Sequence, residues 1–166
     1  MRRAETVIPA REVDRDKIVD RVVLDHDHRH RRRLVLETVQ GDSLLLDLAE
    51  TTQLRQGDGL LLNDGAIVLV EALAEPLLEI RAPHGEALIR IAWHLGNRHV
   101  PTQLAGDHLR IRDDHVIAEL VRHLGGMAIP IHAPFEPEAG AYGRHFGALH
   151  PPARHEVEEG HPHDEA

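Results

Sequence analysis

The apolar residues of this chain change their spacing near position 75, and that change limits the folds open to it. Before it, they come in short runs: Val22-Val23-Leu24, Leu34-Val35-Leu36, Leu44-Leu45-Leu46, Leu60-Leu61-Leu62 and Ile67-Val68-Leu69-Val70. Turn clusters separate them, at Gln40-Gly41-Asp42, Gln56-Gly57-Asp58-Gly59 and Asn63-Asp64-Gly65. Short apolar runs bounded by Gly and Asp fit buried strands better than helices. Asp64-Gly65 supplies the positive φ of a tight turn, which predicts a hairpin from Gly59 to Ala72. Residues 1–75 therefore predict a small antiparallel β domain.

Leu73 to Pro76 marks the boundary, and the pattern beyond it reads strand, helix, strand, strand, helix, strand. Leu77-Leu78-Glu79-Ile80 is the first strand. His84-Gly85-Glu86 opens a helix whose Leu88, Ile91, Ala92 and Leu95 follow the i, i+3, i+4, i+7 spacing, with Gly96 expected to end it. Thr102–Leu104 and His108–Arg112 are the middle strands. Asp113 or Asp114 caps a second helix with the stripe Ile117, Leu120, Val121 and Leu124, stopped by Gly125-Gly126. Met127–Ile131 is the last strand, and Pro130 places it at an edge or a bulge. This order predicts a ferredoxin-like βαββαβ domain over 76–134 and an α+β chain overall. Over 135–166 recurrent Pro and Gly forbid regular structure, which leaves a flexible tail carrying His145, His150, His155, His161 and His163 among acidic residues. Metal binding is the use that best suits such a composition.

Composition narrows the chemistry. Of 166 residues 42% are apolar but only 2% aromatic, so the core is aliphatic. There is no cysteine, which excludes disulfides, thiolate metal sites and thiol nucleophiles. Net charge is −9, so a nucleic-acid partner is a poor expectation. No apolar run approaches a membrane span and no signal peptide precedes the first strand, which predicts a soluble cytoplasmic protein. The 15 histidines are the anomaly, because imidazole is the commonest metal ligand.

One stretch stands out: Trp93-His94-Leu95-Gly96-Asn97-Arg98-His99-Val100-Pro101-Thr102. Pro101 pushes Val100 out of helical geometry, so His99 sits on a constrained connector between helix and strand. His94 and His99 would point about 140° apart on a continuous helix, so they would not chelate together unless the helix breaks between them. His94 reads as a satisfied or exposed histidine. His99 has no obvious structural need for imidazole and is the better ligand. A single imidazole does not hold a divalent transition metal, but in an isologous dimer a residue near the axis meets its own copy.

His115 at the start of the second helix should be neutral there; it is either a ligand or a plain surface histidine. His26, His28 and His30, if on a strand, share one face. They are a metal clip or, better, a solvated edge, because Arg31-Arg32-Arg33 would repel a cation. No zinc-protease motif, phosphate loop or nucleophile–base pair is readable, so the chain is not expected to be an enzyme.

Three stretches together resemble the urease accessory nickel chaperones, the UreE family. They are the connector from His94 to Pro101, the segment Arg112-Asp113-Asp114-His115-Val116, and Ala133-Pro134-Phe135-Glu136-Pro137-Glu138-Ala139-Gly140-Ala141-Tyr142-Gly143. The resemblance implies a β N-terminal domain, a ferredoxin-like C-terminal domain and a homodimer joined through the latter. It implies His99 as the metal ligand at the dimer axis, with His145 approaching the same ion. Some members carry another histidine where this chain has Asp113, which leaves His115 the only imidazole of any secondary site there. The implied role is to bind Ni(II) and deliver it to the urease maturation complex, through a urease accessory GTPase and the urease apoprotein. A histidine-rich metal buffer without a dedicated client is the alternative and a metal-dependent hydrolase a lesser one, while a peptide- or protein-binding β module in residues 1–75 is compatible with the chaperone role. Zn(II) and Cu(II) also suit imidazole, so the residues alone do not rank the metals.

Overall fold

The computed structural model describes residues 2–139. The first half is one six-stranded sheet, built from β1 (Arg2–Ile8), β2 (Ile18–Leu24), β3 (His30–Glu37), β4 (Ser43–Gln53), β5 (Gly59–Leu62) and β6 (Ile67–Ala72). Their order is β2-β6-β5-β1-β4-β3. The expected hairpin is β5–β6, with Gly65 at φ 85° in its turn. Ala4, Val22, Leu36, Leu44, Leu46, Leu60, Leu62, Val68 and Val70 form an almost wholly aliphatic core.

Two features depart from the expectation of an antiparallel sheet with strands only at the apolar runs. The pairs β1·β4 and β2·β6 are parallel, so the sheet is mixed. In both, the partners are far apart in sequence and need no tight turn, and parallel pairing is open only to such strands. The second is β1 itself, a central strand within Arg2-Arg3-Ala4-Glu5, where only Ala4 is fully buried. Its charged side chains face out, and Arg3 pairs with Asp47 on β4.

The second half holds β7 (Ala74–Arg81), α1 (Gly85–Asn97), β8 (Gln103–Leu104), β9 (Leu109–Arg112), α2 (His115–His123) and β10 (Met127–Pro134). The sheet order β10-β7-β9-β8, with every pair antiparallel, is the ferredoxin-like arrangement. Leu78, Ile80, Leu109 and Ile111 of the strands pack on Ile91 and Leu95 of α1 and on Ala118 and Val121 of α2. Pro130 lies on the edge strand β10, where its missing N–H breaks no ladder. Among the described residues, no helix is long and apolar enough to cross a membrane.

The two sheets are joined by the turn Asp25–Arg29 and by residues 135–138. Arg29 is 1% exposed and donates to the carbonyls of Leu54 (3.2 Å) and Phe135 (2.6 Å) and to the Glu136 carboxylate (3.0 Å). Glu136 also accepts from the Gln56 N–H at 2.9 Å. Phe135 is fully buried, with the His26 ring 5.5 Å away and the Arg112 guanidinium 5.9 Å over its face. Residues 135–138, which the sequence assigns to the tail, are thus fixed against both sheets; residues 140–166 of that tail lie outside the described residues.

The same turn corrects the reading of the Asp25–His30 segment. His26 and His28 are in the turn and only His30 is in β3, so the three do not share a strand face. Four consecutive turn residues bring Asp25 onto His28 Nδ1 at 2.8 Å, satisfying the ring locally. The solvated-edge reading survives for His30 and the arginines that follow it on β3, the edge strand of the sheet.

Candidate metal centre

The connector after α1 is built by a helix ending. α1 does not stop at Gly96; it runs to Asn97 and is capped by Arg98. The His99 N–H donates to the Gly96 carbonyl (3.0 Å) and the Val100 N–H to the Leu95 carbonyl (3.1 Å). These two bonds are the Schellman motif, and the apolar contact that accompanies it is present, with Leu95 and Val100 in one cluster. The motif needs a left-handed residue after the cap, and here that residue is His99 at φ 55°. It is the one non-glycine with positive φ among the described residues.

α2 ends the same way. Gly125 N–H bonds the Arg122 carbonyl and Gly126 N–H bonds the Val121 carbonyl, with Gly125 at φ 82° in the left-handed position. One helix uses the residue the geometry prefers and the other uses histidine. A β-carbon in the left-handed region costs about 1–2 kcal/mol, and strained positions of this kind cluster at functional sites.

His99 is exposed, and its ring meets no hydrogen-bond partner among the described residues. It lines a shallow groove of about 390 Å³ with Arg98, Val100, Pro101, Arg112, Asp114 and Ile117. Asp114, not Asp113, caps α2, accepting from the N–H groups of Val116 (2.8 Å) and Ile117 (3.1 Å). Arg112 reaches across to Asp27 in the turn between β2 and β3 at 2.7 Å. That contact holds the Asp27 carboxyl below its usual range through the hydrogen bond from Arg112 and its charge. Arg98 donates to the His94 carbonyl at 3.2 Å, and its Nη1 lies 3.4 Å from the His94 ring. The Trp93 ring meets the same imidazole edge-on at 5.0 Å. His94 therefore has structural neighbours, and no helix break brings it to His99.

The other histidines divide the same way. His84 caps α1, accepting from the Ala87 N–H. His123 donates to the Glu119 carbonyl at 2.9 Å. His108 is held between Asp107 and Glu79. His115 is exposed at the first position of α2 and does not line the groove. His145 lies outside the described residues. Among the described residues, no group of three or more His, Cys, Asp or Glu is gathered to hold an ion. The groove within one chain thus offers a single free imidazole.

The chain leaves the described part close to that imidazole. Glu136 N–H bonds the Gln103 side chain (3.1 Å) and Glu138 N–H bonds the Thr102 carbonyl (2.9 Å). His145 follows seven residues after Glu138, an extended reach of about 24 Å. The sequence already places Arg98 beside His99 on the connector; the residue it missed here is Arg112. Arg112 alternates with the buried Leu109 and Ile111 on β9, and nothing local in the sequence shows that it reaches Asp27.

Comparison with known proteins covers the whole of this architecture. The family described as UreE urease accessory protein, N-terminal domain, matches residues 4–73, and its C-terminal counterpart matches residues 75–165. The urease accessory protein UreE of Rhodopseudomonas palustris strain HaA2 is 56% identical over 137 residues, 82% of this chain and 64% of the relative. That of Bradyrhizobium sp. strain BTAi1 is 58% identical over 123 residues, 74% of this chain and 60% of the relative. That of Chelativorans sp. strain BNC1 is 44% identical over 149 residues, 90% and 91% of the two chains. The chain thus spans less than two-thirds of the length of the first two of these relatives. With both domains matched and identities of this size, the chain belongs to the UreE urease accessory protein family.

Proposed function

We propose that the protein is a cytoplasmic nickel metallochaperone, a carrier rather than an enzyme, that delivers Ni(II) to the urease maturation complex. The observation that carries this is the unbonded His99 imidazole, held out at a left-handed helix ending where glycine is the less strained choice. Because one imidazole is too few ligands for Ni(II), the second is supplied by the same residue of another copy. The C-terminal domain forms that homodimer, and His145 with other tail histidines completes the shell. Ile89 (72% exposed) and Trp93 (64%) on α1 and Val116 (60%) on α2 support a protein contact on these helices, since large apolar side chains grouped on a surface favour association.

A site of exposed imidazoles shared between chains is easily dismantled. Ligand exchange then passes the ion to a urease accessory GTPase bound to the urease apoprotein. His115 contributes at most a weaker second site. Zn(II) and Cu(II) compete at the same ligands in vitro. Imidazole must be neutral to ligate, so affinity falls as pH drops through the histidine range. Calorimetric titration of Ni(II) into wild type and His99→Ala tests the reading. At least a tenfold loss of affinity is expected, and unchanged tight binding would rule out His99. The histidine-rich buffer alternative expects the opposite ranking: removal of residues 144–166 abolishes most binding while His99→Ala matters little.

A further inference from the structure

The groove that displays His99 is completed from the other half of the chain. Arg112 lines it, and the Arg112 guanidinium meets the Asp27 carboxylate at 2.7 Å, in the turn between β2 and β3. The carboxylates nearby are engaged elsewhere. Glu75 lies 4.0 Å from the same nitrogen but accepts from the His26 N–H at 2.9 Å. Asp25 accepts from the His28 N–H at 2.7 Å and holds the His28 ring at 2.8 Å. Asp114, on the groove wall, caps α2. Asp27 is therefore the direct counter-charge of Arg112.

The turn is fixed, while the pair it supplies is open to solvent. Arg29, two residues after Asp27, is held by the Phe135 carbonyl and the Glu136 carboxylate, and the Phe135 ring lies against both His26 and the Arg112 guanidinium. Glu136 and Glu138 in turn bond Gln103 and Thr102, next to the Val100-Pro101 wall of the groove. The side chains of Asp27 and Arg112 are 61% and 44% exposed. An ion pair this open adds little to stability, yet it decides the charge that the groove presents. A groove of about 390 Å³ is roughly as wide as the ~8 Å screening length of physiological salt, so a charge on one wall is felt at the other.

We propose that Asp27 sets the metal affinity of the His99 groove by cancelling the charge of Arg112, so that the seating of the first sheet on the second governs how firmly the ion is held. Asp27 touches no ion itself; it is a positioning residue that acts through Arg112. An unpaired guanidinium on the groove wall repels a dication, and at that width the repulsion weakens binding by about two- to sixfold, with and without screening. A protein that draws the turn Asp25–Arg29 away from Arg112 therefore loosens the ion at the moment of delivery. This rests on His99 being the metal ligand, as proposed above.

Calorimetric titration of Ni(II) into the full-length chain tests this with Asp27→Asn, Asp27→Glu, Arg112→Gln, the double variant Asp27→Asn/Arg112→Gln, and His99→Ala alongside. At about 10 mM salt, where the screening length is about 30 Å, Asp27→Asn should bind at least threefold more weakly than wild type and Asp27→Glu should bind as wild type does. Arg112→Gln should bind at least as tightly as wild type, and adding Asp27→Asn to it should change nothing. At about 1 M salt, where the screening length is about 3 Å, the deficit of Asp27→Asn should vanish. A structural role for Asp27 would not give that cancellation or that salt dependence. Unchanged affinity in Asp27→Asn, or a loss that persists in the Arg112→Gln background, would overturn the proposal while a weakened His99→Ala leaves the nickel reading standing. Binding by His99→Ala as tight as wild type would overturn both.

Discussion

His99 and Gly125 occupy equivalent positions in two helix endings with the same hydrogen bonds, and they make opposite predictions. Replacing His99 by Gly relieves the left-handed strain and raises the unfolding free energy by about 1 kcal/mol, while Ni(II) affinity falls at least tenfold. Urea denaturation and calorimetry on the one variant check both halves. Gly125→Ala runs the other way, losing about 1 kcal/mol through conformation alone, because a Cβ at Gly125 would meet nothing within 4 Å. His99 was legible in the sequence as an imidazole with no structural employment. Its conformation was not, because Gly96 satisfies the usual rule for a helix stop, whereas α1 runs on to Asn97 and the left-handed residue is His99. The Schellman ending is accompanied by the apolar contact of Leu95 with Val100, which share one cluster with both helices and the sheet.

The element that joins the two sheets is the turn Asp25–Arg29 with residues 135–138. Phe135→Ala should remove about 3–5 kcal/mol, the usual range for a fully buried aromatic, and the loss should appear as lowered stability in urea. The ferredoxin-like domain was readable element by element, because its helices carry full apolar stripes and its caps, His84 and Asp114, have side chains that accept main-chain N–H groups. β1 was not readable, since a central strand with one buried side chain, Ala4, leaves no apolar run. Nor was the role of Phe135: a lone aromatic in a Pro-rich stretch looks like tail until Arg29 is seen to bind its carbonyl, and Arg29 lies more than a hundred residues away.

At the scale of the whole molecule the junction is also where acid should act. Burial holds the His26 imidazole below its ordinary value of 6.5, helped by the charges of Arg112 and Arg29 and opposed by Asp27. The folded chain therefore takes up that proton less readily than the unfolded one. The resulting stabilisation is complete above 6.5 and is lost as pH falls from there through the lowered folded value. Asp27, held low by Arg112, adds a second loss below its ordinary 3.8, as pH falls through its own depressed value. Urea midpoints should thus decline below pH 6.5, and His26→Gln should flatten the first part of that decline. Because Arg112 belongs to both the junction and the groove, a change at one is expected to be felt at the other.

The central claim is that two copies of His99 share one ion, and native mass spectrometry of the nickel-loaded chain reads that most directly. The account predicts one Ni(II) per pair of chains in the wild type and loss of that ion in His99→Ala. Nickel carried by single chains, or retained on pairs of His99→Ala chains, would contradict it.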